Sequence, residues 1–327
     1  MTEIYGFLTF NCKGLRNVKK REKIFTHVKN KNKVGITFLQ ETHSAPDDQL
    51  QWETHWGKKT NIFLNHGESN ARGNAIVFNN MDFVCNKYVH DVKGRLQIMS
   101  IKASEYEKKI LLVNIYNENN ERDQLKLFEE LEKLLNEFGD FSDHVLFFGG
   151  DFNLIFDKAL DANGGVAALK TRSIASLINI MEKYDLVDIY RLRNPTAKRF
   201  TFRQGNSSLQ RRLDFFLVSN ILQESIAKVD VLTSLCSDHS PVFVSINDSS
   251  ENEKGPSYWK FNTSLLKDVT YTTQMNENFT RWTTEYVNEP PQLKWELLKY
   301  EIRKFTLDYS KKRAKRLREA ERTLEKK

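Results

Sequence analysis

The stretch HVLFFGGDFNLIFD at 144–157 restricts what this chain can fold into more than any other. Residues 145–148 are a continuous apolar run, the pattern of a short strand buried on both faces. Gly149 and Gly150 carry no side-chain bulk and are expected to end that strand in a tight turn or a close approach to a ligand. Asp151 and Asn153 follow, on one side of the chain if it stays extended. A carboxylate and a carboxamide at the tip of a buried strand can handle a phosphate and a water. A plain Asp-Asn turn would look the same, so the rest of the chain has to decide.

Further strands are expected at 5–11, 34–40, 74–78, 95–101, 110–116, 229–232 and 242–246. The segments 200–202 and 213–218 bracket RQGNSSLQRR as a hairpin-like stretch. A Lys-rich surface helix is expected at 18–28. Leu125, Phe128, Leu131, Leu135 and Phe138 recur at helical spacing within 121–138, and Ile174, Leu177, Ile178, Met181 and Tyr184 do so in a following helix. Few helices, many strands and no strict alternation predict an α+β fold: two packed, mixed, mostly antiparallel sheets with helices outside. The polar segment NDSSENEKGPS at 247–257 marks a boundary. The chain thus reads as a domain over 1–247, a linker over 248–256 and a basic extension of short helices, then one charged helix, over 257–327.

Charge is unevenly placed. Of the 50 Lys/Arg and 43 Asp/Glu, thirteen and six lie within 291–327, which therefore carries the whole net charge of +7. A basic tail on a neutral domain suggests an acidic partner, nucleic acid first, although a solvated helix needs none. Cys12, Cys85 and Cys236 stand far apart with no CxxC pair, which argues against zinc and a disulfide scaffold and fits a reducing compartment. No apolar run approaches the roughly 20 residues of a membrane span, and the first residues lack the order of a signal peptide.

Polar residues recur where strands are expected to end: Asn11, Glu41, Tyr116, Asp151, Asn153, Asp214 and Ser237 to His239. Such ends converging on one edge would form a site suited to phosphodiester hydrolysis, in which a hard cation on oxygen ligands neutralises a phosphate oxygen and the departing alkoxide. Glu41 is the expected main metal ligand, helped by Asn11 and Asp238. Asp151 is expected to orient and deprotonate water beside Asn153. His239, its ring fixed by Asp214, and Tyr116 would donate to phosphate oxygens.

The order Asn11, QETH around Glu41, NIY around Tyr116, GGDFN, RRLDFF around Asp214 and SDHSPV resembles the endonuclease/exonuclease/phosphatase superfamily. It is most similar to the apurinic-like endonuclease domain of non-LTR (LINE-type) retrotransposons, over roughly residues 3–247. The resemblance implies a four-layer α/β sandwich, dependence on Mg2+ (with Mn2+ able to substitute) and the residue roles given above. It departs in one place. Repair-type apurinic endonucleases carry an acidic residue two positions after the first Asn, where this chain has Lys13, which removes one metal contact and weakens a repair assignment.

The resemblance also gives a role to the basic run at 189–213, which holds Arg191, Arg193, Lys198, Arg199, Arg203, Arg211 and Arg212 and no acid. The loop from Arg203 to Arg212 would touch DNA near the cut, with Thr201 and Ser237 facing the DNA backbone and the arginines reading groove shape. A solvated loop is the alternative. The tail resembles the segment leading toward a reverse transcriptase, so the chain reads as a monomeric fragment of a mobile-element polyprotein. KKRAKR at 311–316 is either a nuclear import signal or an exposed helix face. The expected activity is nicking of double-stranded DNA in the nucleus to leave a 3′-hydroxyl primer, with element RNA a further partner of the tail and no membrane involved. Its rivals are a phosphatase or phospholipase of the same superfamily and a catalytically dead nucleic-acid-binding remnant.

Overall fold

The computed structural model describes residues 3–30, 34–57, 61–67, 71–104, 106–205, 207–247 and 261–325. They fall into two units, Met1–Glu251 and Asn252–Lys327. The linker expected over 248–256 lies outside the described residues.

In the first unit the strands are β1 (Glu3–Asn11), β2 (Ile36–Gln40), β3 (Ile62–Asn65), β4 (Asn74–Phe78), β5 (Phe83–His90), β6 (Leu96–Ala103), β7 (Lys109–Tyr116), β8 (His144–Asp151), β9 (Ala162–Asn163), β10 (Leu186–Asp188), β11 (Phe202–Arg203), β12 (Gln210–Arg211), β13 (Asp214–Ser219), β14 (Ile226–Val231) and β15 (Val242–Asn247). The helices are α1 (Val18–Lys29), α2 (Gln49–Trp56), α3 (Glu121–Phe138), α4 (Lys158–Asp161), α5 (Thr171–Lys183) and α6 (Ile189–Arg193). One sheet has the order β14-β15-β1-β2-β4-β3 and a second β10-β13-β8-β7-β6-β5. Each is antiparallel except for one parallel pair, β1/β2 in the first and β7/β8 in the second.

Phe7, Phe38, Met99, Leu112, Phe147 and Phe216 fill the space between the sheets, with the rings of Phe7 and Phe147 stacked 3.9 Å apart. On the outer face of the first sheet, Ile24, Phe25 and Val28 of α1 and Trp52 and Trp56 of α2 meet Leu8, Phe10 and Leu39. The apolar stripes of α3 and α5 cover the outer face of the second sheet. The result is the four-layer sandwich that the resemblance implied. The side chains of Asn17 and Asn120 cap α1 and α3 by accepting from the backbone N–H of Lys20 and Asp123, which satisfies donors the helices leave open.

Because strand side chains alternate between faces, the core fixes which residues point between the sheets. On β1, Phe7 packs inward and Leu8 and Phe10 outward, so Asn11 falls on the inward side. The same parity turns Tyr116 inward beyond Ile110 and Leu112, Asp151 beyond Val145 and Phe147, and Asp214 ahead of Phe216 and Val218. The core therefore aims these polar ends at one another.

Three expectations need correction. Strand β8 does not stop at the glycines but runs through them to Asp151. Gly149 lacks a side chain because the rings of Phe216 and Phe38 occupy the place a Cβ would take. The hairpin expected around 203–212 is present, but its strands are only Phe202–Arg203 and Gln210–Arg211; β9 joins them in a small ribbon, and the bracketing segment at 213–218 instead enters the second sheet as β13. Strands β3 and β5 and helix α2 were not foreseen. Edge strand β5 mixes polar and apolar residues, and α2 buries only Trp52, Glu53 and Trp56.

The second unit contains α7 (Val269–Glu285), longer than the short helices expected, and α8 (Pro291–Glu325), the charged helix expected after them. Leu265, Tyr271 and Tyr309 form its core, and the Tyr271 hydroxyl lies 2.7 Å from Thr306 Oγ1. Pro291 opens α8, where its missing N–H costs nothing.

Gly149→Val should lower stability by about 1–3 kcal/mol through overpacking, as measured by urea unfolding. Gly205→Ala, where a Cβ meets nothing within 4 Å, should stay within about 0.5 kcal/mol of wild type.

Candidate active site

The inward-facing strand ends form one hydrogen-bonded cluster. Asn11 Nδ2 donates to Glu41 Oε1 at 3.1 Å and to Asp151 Oδ2 at 2.9 Å. The Tyr116 hydroxyl donates to the same Glu41 oxygen at 2.6 Å. Strand register sets Asp214 directly opposite Asp151. His239 completes the cluster, with Nδ1 2.8 Å from Asp214 Oδ2 and Nε2 3.9 Å from Asp151 Oδ2. The ring belongs to a loop that Ser237 ties down, its Oγ donating to Asn11 O and accepting from His239 N.

Electrostatics follow from burial. Asp151, Asp214 and His239 are all buried, and desolvation together with the Asp214 charge pushes the Asp151 carboxyl up to about 7. Burial works to lower the His239 pKa, but the charges of Asp214 and Asp151 and the hydrogen bond to Asp214 override it and raise it to about 10. His239 is therefore an imidazolium at neutral pH, held between two carboxylates. Burial and the Glu41 charge push the Tyr116 phenol upward, so it remains a donor.

The chain ends its strands here at a conformational cost. Lys13, Glu41, His43, Asn153 and Cys236 all have positive φ, between 49° and 59°, a region that side-chain-bearing residues enter rarely. Asn153 N donates to Asp151 Oδ1 at 3.0 Å, and its Nδ2 donates to Asn117 O at 2.9 Å. One of the two N–H donors of the side-chain amide expected beside the reacting water is thus engaged.

Two groups could hold a metal. Asp151, Asp214 and His239 place ligand atoms within 4.8 Å of one another, with His239 Nδ1 already bonded to Asp214 at 2.8 Å. The oxygen donors of Glu41 and Asn11 fit a hard cation better. Both hydrogen bonds to Glu41 fall on Oε1, while Oε2 lies 3.8 Å from His43 Nε2. Asp238, the third expected ligand, instead pairs with Lys13 Nζ at 2.6 Å.

The chain matches the endonuclease/exonuclease/phosphatase family model over residues 8–239. It belongs to that family. It is 27% identical over 280 residues to the Transposon TX1 uncharacterized 149 kDa protein of Xenopus laevis, covering 84% of this chain and 20% of that protein. The chain thus spans about a fifth of that relative's length. Its fold is similar to AP endonuclease LMAP from Leishmania major, at 19% identity with a TM-score of 0.62, covering 75% of this chain and 88% of that one. It is also similar to the 3′ phosphatase NExo from Neisseria bound to a product DNA hairpin, at 18% identity and a TM-score of 0.57, covering 74% and 99%. The recognition drawn from motif order, with its fold, is borne out.

The expected DNA-binding set requires correction. Arg212 is 1% exposed and binds Asp161 at 2.7 Å and Asp188 at 2.8 Å, so it cannot reach DNA. Thr201 is fully buried, its hydroxyl accepting from the backbone N–H of Leu213 and Asp214. Arg211 spends Nη1 on the carbonyls of Asn163, Gly164 and Gln210, and Arg191 joins Arg212 on Asp161. Much of the basic run is an internal clamp on the ribbon. Arg203 stays half-buried near Ser240 Oγ, at 3.4 Å. Sequence reading missed Arg95, whose guanidinium sits 4.6 Å over the Tyr116 ring and pairs with Glu118. It also missed buried Asn117, which lies next to Tyr116 in the chain.

Arg212→Ala should cost about 3–5 kcal/mol in urea unfolding, the range for stripping a buried charge of its partner. The stability His239 provides should be complete below 6.5, its unperturbed value, and be lost as pH rises through about 10. Unfolding free energies of wild type and His239→Gln measured across that window should show the fall in wild type only.

Proposed function

We propose that this chain is a divalent-cation-dependent endonuclease that nicks double-stranded DNA and leaves a 3′-hydroxyl from which a mobile element primes reverse transcription. The observation that carries this reading is the single cluster in which Asn11 bridges Glu41 and Asp151 while Asp214 holds a charged His239.

A magnesium ion on Glu41 and Asn11, with manganese able to replace it, would supply charge neutralisation at a phosphate oxygen. Asp151, its carboxyl pushed upward by burial and the Asp214 charge, receives a proton from the attacking water as the water oxygen bonds to phosphorus, the P–O3′ bond breaks and the departing 3′-oxygen takes a proton from solvent. His239, kept charged by Asp214, donates to a non-bridging phosphate oxygen. Asn11 keeps Asp151 and Glu41 in register, and Tyr116 holds Glu41 while offering a phenol at the phosphate's edge. DNA as substrate is supported by the hairpin product bound to the similar Neisseria 3′ phosphatase. A mobile-element origin is supported by similarity to the transposon protein; on this reading the chain acts in the nucleus and its helical extension leads toward a reverse transcriptase. The basic 291–327 segment would add contacts to nucleic acid, element RNA included.

A supercoiled-plasmid nicking assay tests the proposal. Wild type with magnesium should yield open circles, and EDTA should stop it. Asp151→Asn and Glu41→Ala should each slow nicking at least about 100-fold, the scale of a lost acid–base group, with melting temperatures retained. Comparable nicking by Asp151→Asn would overturn its assigned role. Nicking unaffected by EDTA would overturn the cation requirement, and hydrolysis of small phosphate esters without nicking would move the chain to the phosphatase branch.

A further inference from the structure

We infer that Lys13 is a built-in cation of this site: its ammonium occupies the Asp238 carboxylate and keeps a divalent ion off it, so the chain binds one divalent ion, on the Glu41 side. The inference rests on the metal reading above and fixes its stoichiometry.

Four carboxylates line the cluster: Glu41, Asp151, Asp214 and Asp238. Asp151 and Asp214 share the His239 imidazolium. Glu41 accepts from the neutral donors Asn11 and Tyr116 on Oε1, and the ring 3.8 Å from its Oε2 is His43, whose pKa burial lowers, so its charge is left for a metal. Asp238 is different, because Lys13 Nζ reaches its Oδ2 at 2.6 Å. A divalent ion approaching Asp238 meets an ammonium at bonding distance. A phosphate approaching the same edge meets a neutralised carboxylate with an ammonium beside it.

The placement is enforced by the backbone. Lys13 sits at φ +50°, its N–H donates to Asn11 Oδ1 at 3.0 Å, and its carbonyl accepts from Lys20 Nζ at 2.7 Å. The same Asn11 bridges Glu41 and Asp151, so the lysine is registered against the site by the residue that organises it. The Lys13 side chain is 60% exposed and that of Asp238 23%. An ion pair this open contributes little to stability, less than the left-handed backbone costs. The Lys13–Asp238 pair therefore matters for charge placement at the site more than for stability.

Manganese binding tests the inference, read as free Mn2+ by electron paramagnetic resonance during titration of the whole chain. Wild type should bind one Mn2+, and Glu41→Ala should bind none. Lys13→Asp, which replaces the ammonium with a carboxylate beside Asp238, should bind two, and Lys13→Gln should show a second, weaker event. Circular dichroism checks that each variant is folded. Two ions on wild type, or one on both folded Lys13 variants, would overturn the role of Lys13 while leaving the nuclease reading intact. No binding to wild type would overturn the metal reading and this inference with it.

Discussion

Two carboxylates buried directly across a strand pair are the demand that the rest of the domain meets. Asp151 and Asp214 face each other in the β8–β13 register with almost no solvent contact. Ionised and alone, such a pair would repel and would lack hydration, at a cost of several kcal/mol per ion. His239 supplies the compensating cation, and its charge is in turn maintained by both carboxylates. Holding an imidazole there requires the Ser237 anchor on Asn11, and Asp214 needs its backbone N–H met by Thr201. Thr201 is therefore a buttress of the charged triad, which is why it lies buried.

A second buried polar layer sits one step below the cluster. Gln40 Nε2 donates to Asn114 Oδ1 at 2.7 Å and to Thr9 Oγ1 at 3.0 Å. Asn114 in turn donates to Leu39 O, Ala75 O and Gln97 Oε1. Thr9 lies two residues before Asn11, Gln40 one before Glu41 and Asn114 two before Tyr116. The layer joins the sheets through directional bonds that apolar packing lacks, and so fixes the relative height of the strand ends above it. The left-handed Lys13, Glu41 and Asn153 are the local cost of turning β1, β2 and β8 away at that height.

The basic run at 189–213 shows how far composition can mislead. Its cations looked like a DNA surface, yet Arg191 and Arg212 converge on Asp161 and Arg211 binds carbonyls. No acid occurs within the run, but Asp161 comes from a distant segment, and a sequence window cannot show a partner that only folding delivers. Lys13 was read as a lost metal contact, and its pairing with Asp238, 225 positions away, is invisible along the chain for the same reason.

The sequence by itself determined the family, the two sheets and the identity of the polar strand ends. Alternation along apolar strands and the order of short motifs are local signals that survive without coordinates, so 74–78 and 121–138 emerged as the strand and helix observed. Tertiary structure decided what those polar groups are bonded to. It ran β8 through its glycines because two aromatic rings from other strands fill the space, and it kept His239 charged because two carboxylates from different strands meet it in a buried place. Burial and long-range pairing set charge states and free donors, and both depend on residues that become neighbours only when the sheets close.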